Sequence, residues 1–179
     1  MSKITLVTGG AASGKSRWAV SYFAECDNVL YLCAAPHIYK ETAERIKWNS
    51  RAKAVNWRII ENSRIRSVQP EGHKYIIYDS LARYTADMIT ALSKGYSGGL
   101  GEKDRLKMSI AEDVERLIDK VNKDNANLVI ITNETGFSVT PTKDDQRVFR
   151  EILGFVNQRT ANMAAEVYMS VSGVQMKIK

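Results

Sequence analysis

Cysteine, histidine and proline are all scarce in this sequence. Its 179 residues contain two cysteines, Cys26 and Cys33, in no CxxC pair, which excludes a disulfide framework and a cysteine-rich zinc site. Such cysteine usage reads as a reducing, cytoplasmic context. Only Pro36, Pro70 and Pro141 punctuate the chain, and no low-complexity tract or internal repeat is visible. The apolar run around Leu128 to Thr132 is strand-sized. It falls far short of the roughly 20 residues that a membrane span needs. Met1-Ser2-Lys3 leads straight into an apolar strand and a glycine loop, which is not a signal-peptide pattern.

What remains is globular. Hydrophobic residues make up 44% and charged residues 26%, values that exclude wholesale disorder and predict one domain over residues 1–179. The net charge is +6, but Lys and Arg are spread along the chain among Asp and Glu. That pattern is no nucleic-acid footprint, and an enzyme handling polyanionic nucleotides accommodates it equally well.

Periodicity predicts strands at Lys3–Thr8, Asn28–Cys33, Trp57–Ile60, Tyr75–Tyr78 and Leu128–Thr132, with Asp79 ending the fourth. Helices are expected at Lys15–Glu25, Lys40–Lys53, Leu81–Leu92, Asp104–Lys123 and Asp144–Ala164. A glycine-rich loop is expected over Ser93–Gly101. Val167–Ser172 and Gln175–Ile178 read as a closing hairpin around Gly173. Strands alternating with helices predict an α/β fold with a mostly parallel sheet and an antiparallel C-terminal edge.

The strongest motif is Gly9-Gly10-Ala11-Ala12-Ser13-Gly14-Lys15-Ser16, a full match to GxxxxGK[ST] set between a strand and a helix. Glycines let backbone N–H groups curl around a phosphate, and the helix N-terminus adds a favourable dipole. Lys15 is expected to bridge the β- and γ-phosphates, and the Ser16 hydroxyl to join the shell of a Mg2+ ion carried with ATP or GTP. Asp79 and Glu134 each follow a strand, as a magnesium-positioning carboxylate does; the alternative for each is a helix cap or a turn acid. Arg147 and Arg150 lie one helical turn apart and can clamp a phosphate or face water. His73 reads as surface. Trp18, Trp48 and Trp57 read as packing residues, and Tyr31 and Tyr78 as residues of the core edge.

Beyond the phosphate loop the chain resembles the bifunctional adenosylcobinamide kinase/adenosylcobinamide-phosphate guanylyltransferase family of cobalamin biosynthesis. The resemblance runs nearly end to end. It is carried by Leu6 through Arg17, Val29-Leu30-Tyr31-Leu32, Glu44-Arg45-Ile46, Trp57, Glu61 and Ile131-Thr132-Asn133-Glu134-Thr135-Gly136. Arg147 through Glu151, Val156-Asn157-Gln158 and Val171-Ser172-Gly173 through Lys179 extend it. It implies a RecA-like phosphate-loop fold, a homotrimer, and adenosylcobinamide with ATP or GTP as substrates. It also implies nucleotide contacts from Cys33, Ala34 and Ala35, from Ser50, Arg51, Ala52 and Lys53, and from Glu61 and Asp79.

One departure bears on the chemistry. The family pattern is arginine-isoleucine-x-x-histidine, in which the histidine is transiently guanylylated; this chain reads Arg45-Ile46-Lys47-Trp48-Asn49. A carboxamide nitrogen has its lone pair delocalised into the carbonyl, so Asn49 cannot attack an α-phosphate as an imidazole does. The guanylyl step is then lost, made by direct transfer, or rerouted through another nucleophile, for which His37 is the one candidate. Two other readings stand beside the transferase: a non-catalytic nucleotide-binding module, which Lys15 and Ser16 argue against, and a nucleic-acid ATPase, which the scattered charge argues against.

Overall fold

Strands that alternate apolar side chains between two faces must be covered on both, and this sequence supplies helices for each face. The structure, a computed structural model, describes residues 2–36, 40, 42–44, 46, 57–70, 72–93 and 100–179. Among these, β1 (Lys3–Gly9), β2 (Val29–Cys33), β3 (Arg58–Ile60), β4 (Tyr75–Asp79), β5 (Asn127–Ile131), β6 (Glu166–Val171) and β7 (Val174–Lys177) form one sheet. Its order is β3-β2-β4-β5-β1-β6-β7. Every pairing is parallel except the β6–β7 hairpin. The helices described include α1 (Lys15–Tyr22), α2 (Leu81–Ser93), α3 (Leu100–Lys123) and α4 (Asp144–Met163).

The alternation is visible residue by residue. Ile4, Leu6, Leu30, Leu32, Ile76, Tyr78, Leu128 and Ile130 point to one face, where Leu81, Ile110, Val114, Leu117, Ile152 and Val156 from α2, α3 and α4 cover them. Val7, Val29, Tyr31, Ile77, Val129 and Ile131 point to the other, under Ala19, Val20 and Phe23. Both Tyr31 and Tyr78 are fully buried, inside the core rather than at its edge.

The expected elements hold with shifted ends. Helix α1 stops at Tyr22, not Glu25, because the chain leaves through turns that bond Ala24 N–H to Ser21 O and Cys26 N–H to Phe23 O. Those turns bring Phe23 into the core. Helix α3 begins at Leu100 and absorbs Gly101, which the sequence placed in a loop. Residues 40, 42–44 and 46 are helical, with Thr42 and Ile46 buried; the rest of the expected Lys40–Lys53 helix lies outside the described residues. His73 is a correction: it is buried, and its Nδ1 donates to the Asn28 carbonyl at 2.8 Å, tying the start of β4 to that of β2. Trp18 packs on Tyr22 and Tyr168, and the Trp57 indole N–H donates to Cys26 O at 3.1 Å.

Candidate nucleotide site

In a parallel sheet the loops leaving the strand C-termini gather at one edge, where ligands bind. Here that edge carries the phosphate loop after β1, Ala34 and Ala35 after β2, Glu61 after β3, Asp79 at the end of β4 and Glu134 after β5. Strand β5 separates β1 from β4, so the Asp79 strand is not the neighbour of the phosphate-loop strand.

The phosphate loop turns through Ala12 (φ 55°) into Gly14 (φ 97°), which sits at the N-cap of α1. Among the described residues no side chain caps that helix, leaving its first N–H groups to the cleft of about 390 Å³ lined by Ala12 through Arg17. Such a cradle of N–H groups at a helix start receives a phosphate. Lys15 is buried and folds back over the loop, its Nζ donating to Gly9 O at 3.0 Å and Gly10 O at 2.5 Å. Burial pushes its ammonium below the ordinary lysine value, and the Asp79 carboxylate opposes that shift. Lys15 and Asp79 are thus within electrostatic reach of each other.

Asp79 is itself oriented. The hydroxyl of buried Tyr31, one strand over on β2, donates to Asp79 Oδ2 at 2.5 Å. Around it the loop ends are knitted by backbone bonds: Ala34 N–H to Asp79 O at 2.7 Å, Ser63 N–H to Cys33 O at 2.8 Å and Asn62 N–H to Ala35 O at 3.4 Å. The structure therefore brings together Cys33, Ala34, Ala35, Glu61 and Asp79. Glu61 Oε1 is buried with no hydrogen-bond partner among the described residues, an acceptor awaiting a donor. Asn49, Ser50, Arg51, Ala52 and Lys53 lie outside the described residues, as does His37.

The acidic and basic candidates after β5 are committed to a loop. Glu134 donates its backbone N–H to Gly9 O at 3.1 Å, and its Oε1 accepts the Gly136 N–H at 2.5 Å. Arg150 donates to Gly136 O at 2.6 Å and Ser138 O at 3.2 Å; Arg147 donates to Pro141 O, Thr142 O and Asp144. Arg147 is exposed and Arg150 partly so, yet both are spent on loop carbonyls, and together they shape a second cleft of about 670 Å³ between this loop and α4. Sequence reasoning missed two things. The Tyr31–Asp79 bond depends on β2 and β4 being neighbours, which periodicity does not reveal. The buttressing of the phosphate loop by residues 170–175 spans 157 positions.

Comparison with known proteins fits this geometry. The chain is similar to two proteins named bifunctional adenosylcobalamin biosynthesis protein CobU. The one from Escherichia coli strain K12 is 33% identical over 97% of this chain and 98% of its own. The one from Salmonella typhimurium is 31% identical over the same shares. CobP of Pseudomonas aeruginosa, also named a bifunctional adenosylcobalamin biosynthesis protein, is 25% identical over 97% of this chain and 96% of its own. Among solved structures the chain resembles an ATPase of a bacterial type III secretion system, with a TM-score of 0.55 and 10% identity. That likeness spans 93% of this chain and 51% of the ATPase. A KaiC-like protein of Pyrococcus horikoshii gives a TM-score of 0.51 at 14% identity, over 93% of this chain and 70% of its own. These two likenesses establish the RecA-like phosphate-loop fold. The profile of one family matches residues 5–178, and by that match the chain belongs to the cobinamide kinase / cobinamide phosphate guanyltransferase family.

Proposed function

We propose that this chain is a nucleotide-dependent transferase of cobalamin biosynthesis, acting as one domain over residues 1–179. It phosphorylates the aminopropanol hydroxyl of adenosylcobinamide. The observation that carries this reading is the phosphate loop set beside an oriented Asp79 in a chain that matches the family from residue 5 to residue 178. Gly9 through Ser16 bind the phosphates, and Lys15 leaves its three oxygen partners in the loop to bridge the β- and γ-groups. Ser16 and Asp79 offer hard oxygen donors at one edge, a set that suits Mg2+, which neutralises phosphate charge when bound. Cys33, Ala34, Ala35 and Glu61 form the nucleotide wall after β2 and β3, and the orphan Glu61 oxygen supports it as an acceptor there. Ser50, Arg51, Ala52 and Lys53 are assigned to the same nucleotide on the resemblance alone, as is assembly into a homotrimer, which light scattering tests; the cytoplasmic reading rests on the cysteine usage.

Catalysis by such a site is positioning and charge neutralisation. The GMP transfer in the family's name needs more: a nucleophile, and Asn49 stands where the histidine is. We therefore assign the kinase step to this chain and not the histidine-dependent guanylyl step. Mass spectrometry of the protein with adenosylcobinamide, ATP, GTP and magnesium tests this. The expected product is adenosylcobinamide phosphate, with no GMP adduct on the protein. Adenosylcobinamide-GDP would overturn the assignment and turn attention to His37 or direct transfer, and nucleotide binding without any corrinoid product would favour a regulatory module.

A further inference from the structure

The phosphate loop is braced from behind by the last two strands. Ser170, on β6 and 1% exposed, donates its hydroxyl to the Ser13 carbonyl at 2.6 Å. The Gly173 N–H, in the two-residue turn between β6 and β7, reaches the same oxygen at 3.0 Å. Gln175 on β7 donates its Nε2 to Ser170 Oγ at 3.0 Å, so the hydroxyl hydrogen is aimed at Ser13. Both turn residues have positive φ, Ser172 at 50° and Gly173 at 84°, the geometry of a tight hairpin turn matching strand twist.

The approach is close enough to dictate composition. A Cβ on Gly9 would lie 2.3 Å from the Ser170 carbonyl oxygen, and one on Gly14 would lie 3.2 Å from Gly173 Cα. The hairpin therefore excludes a side chain at Gly9 and crowds one at Gly14, whose φ of 97° already favours glycine. Their replacement would push the loop off this wall.

We propose that Ser170, oriented by Gln175 and assisted by Gly173, is a positioning residue for nucleotide binding. In a trans peptide the carbonyl and the following N–H point in opposite directions. Holding the Ser13 carbonyl against the hairpin with two donors turns the Gly14 N–H the other way, toward the phosphate cleft. The hairpin thereby sets one donor of the anion cradle before any ligand arrives, and lowers the ordering cost of binding. This rests on the reading of the loop as a nucleotide site and goes beyond it, because no residue of β6 or β7 touches the cleft.

Fluorescence titration of the full chain with an N-methylanthraniloyl derivative of ATP, with and without Mg2+, tests the proposal beside thermal melts. Ser170→Ala is expected to weaken nucleotide binding about five- to tenfold, the size of one lost hydrogen bond. The KM for adenosylcobinamide should stay within about twofold, because a fault confined to the anion cradle leaves the acceptor untouched. Gln175→Ala should shift nucleotide affinity in the same direction by less, and Val174→Ala, exposed on the same hairpin, should shift nothing. A folded Ser170→Ala protein with wild-type nucleotide affinity overturns the proposal. Equal losses in both substrates together with a lowered Tm also overturn it, since they mark a merely structural role. If Ser170→Ala does not fold, Gln175→Ala decides by the same readout. A wild-type chain that binds no nucleotide fails the functional reading itself.

Discussion

Two loops at the same sheet edge are built on opposite plans. The phosphate loop is fixed by backbone packed on backbone: Gly9 against Ser170, Gly14 against Gly173, and the Ser13 carbonyl between two donors. The loop after β5 is fixed by long side chains reaching back from α4, with Arg147 and Arg150 gripping four carbonyls between Gly136 and Thr142. Phe137 and Val139 nonetheless stand 80% and 91% exposed on it. Behind the phosphate loop only Ser170 contributes a side chain to these contacts, and the glycine contacts survive any truncation. A loop held by guanidinium groups can be released by a single substitution. The first design suits a site that must be formed before its ligand arrives, the second a segment that can rearrange around one.

Four experiments would break or sharpen that contrast. Lys15→Ala should have the largest effect, lowering kcat for phosphoryl transfer by about 100-fold or more, since it removes the charge assigned above to the β- and γ-phosphates. Steady-state kinetics reads this directly, and near-normal turnover would remove Lys15 from the chemistry. Tyr31→Phe comes next. It keeps the buried ring but removes one hydrogen bond that orients Asp79, so activity should fall about tenfold and half-maximal activation should need more Mg2+. A magnesium titration of the two proteins separates this from a folding defect.

Arg150→Ala should cost about 1 kcal/mol of local stability and accelerate amide exchange from residue 136 to 142, with nucleotide affinity unchanged. Exchange confined to wild-type rates would show that Arg147 alone secures the loop. The smallest effect is expected at Glu166, which pairs with Lys177 at 2.7 Å and Lys3 at 2.8 Å across the β1–β6–β7 edge. Hydrogen bonds from Lys177 and Lys3 hold its carboxyl down to about 2. A carboxylate depressed in the folded state adds stability that is complete above its unfolded value, near pH 4.5, and lost as pH falls toward 2. Both lysines are exposed, so Glu166→Gln should cost below about 1 kcal/mol at neutral pH. Denaturant titrations of wild type and variant should converge near pH 2.

Much of this molecule was legible because it is written locally. The GxxxxGK[ST] run, the alternating apolar residues of β1, β2, β4 and β5, and the Gly173 hairpin each depend on neighbours in sequence. What escaped depends on sheet order. His73 reads as a surface residue beside glycine and lysine, yet β4 lies next to β2 and delivers it to the Asn28 carbonyl. Tyr31 reads as an ordinary core tyrosine until the register sets Cys33 opposite Asp79 and places its hydroxyl on that carboxylate. Arg147 and Arg150 reach carbonyls up to 14 residues away, which helical spacing alone does not specify. The family resemblance supplied the site's membership but not these supports.

The bond from Ser170 to Ser13 also has a consequence for synthesis. A ribosome works from the N-terminus, so the glycine motif is made 157 residues before the hydroxyl that holds it open. Until β6 and β7 emerge, β1 lacks one of its two neighbours and the motif lacks its rear wall. On the proposal above, a nascent chain that has already made its phosphate-loop signature still lacks the wall that readies it for a nucleotide, and gains it only with the hairpin.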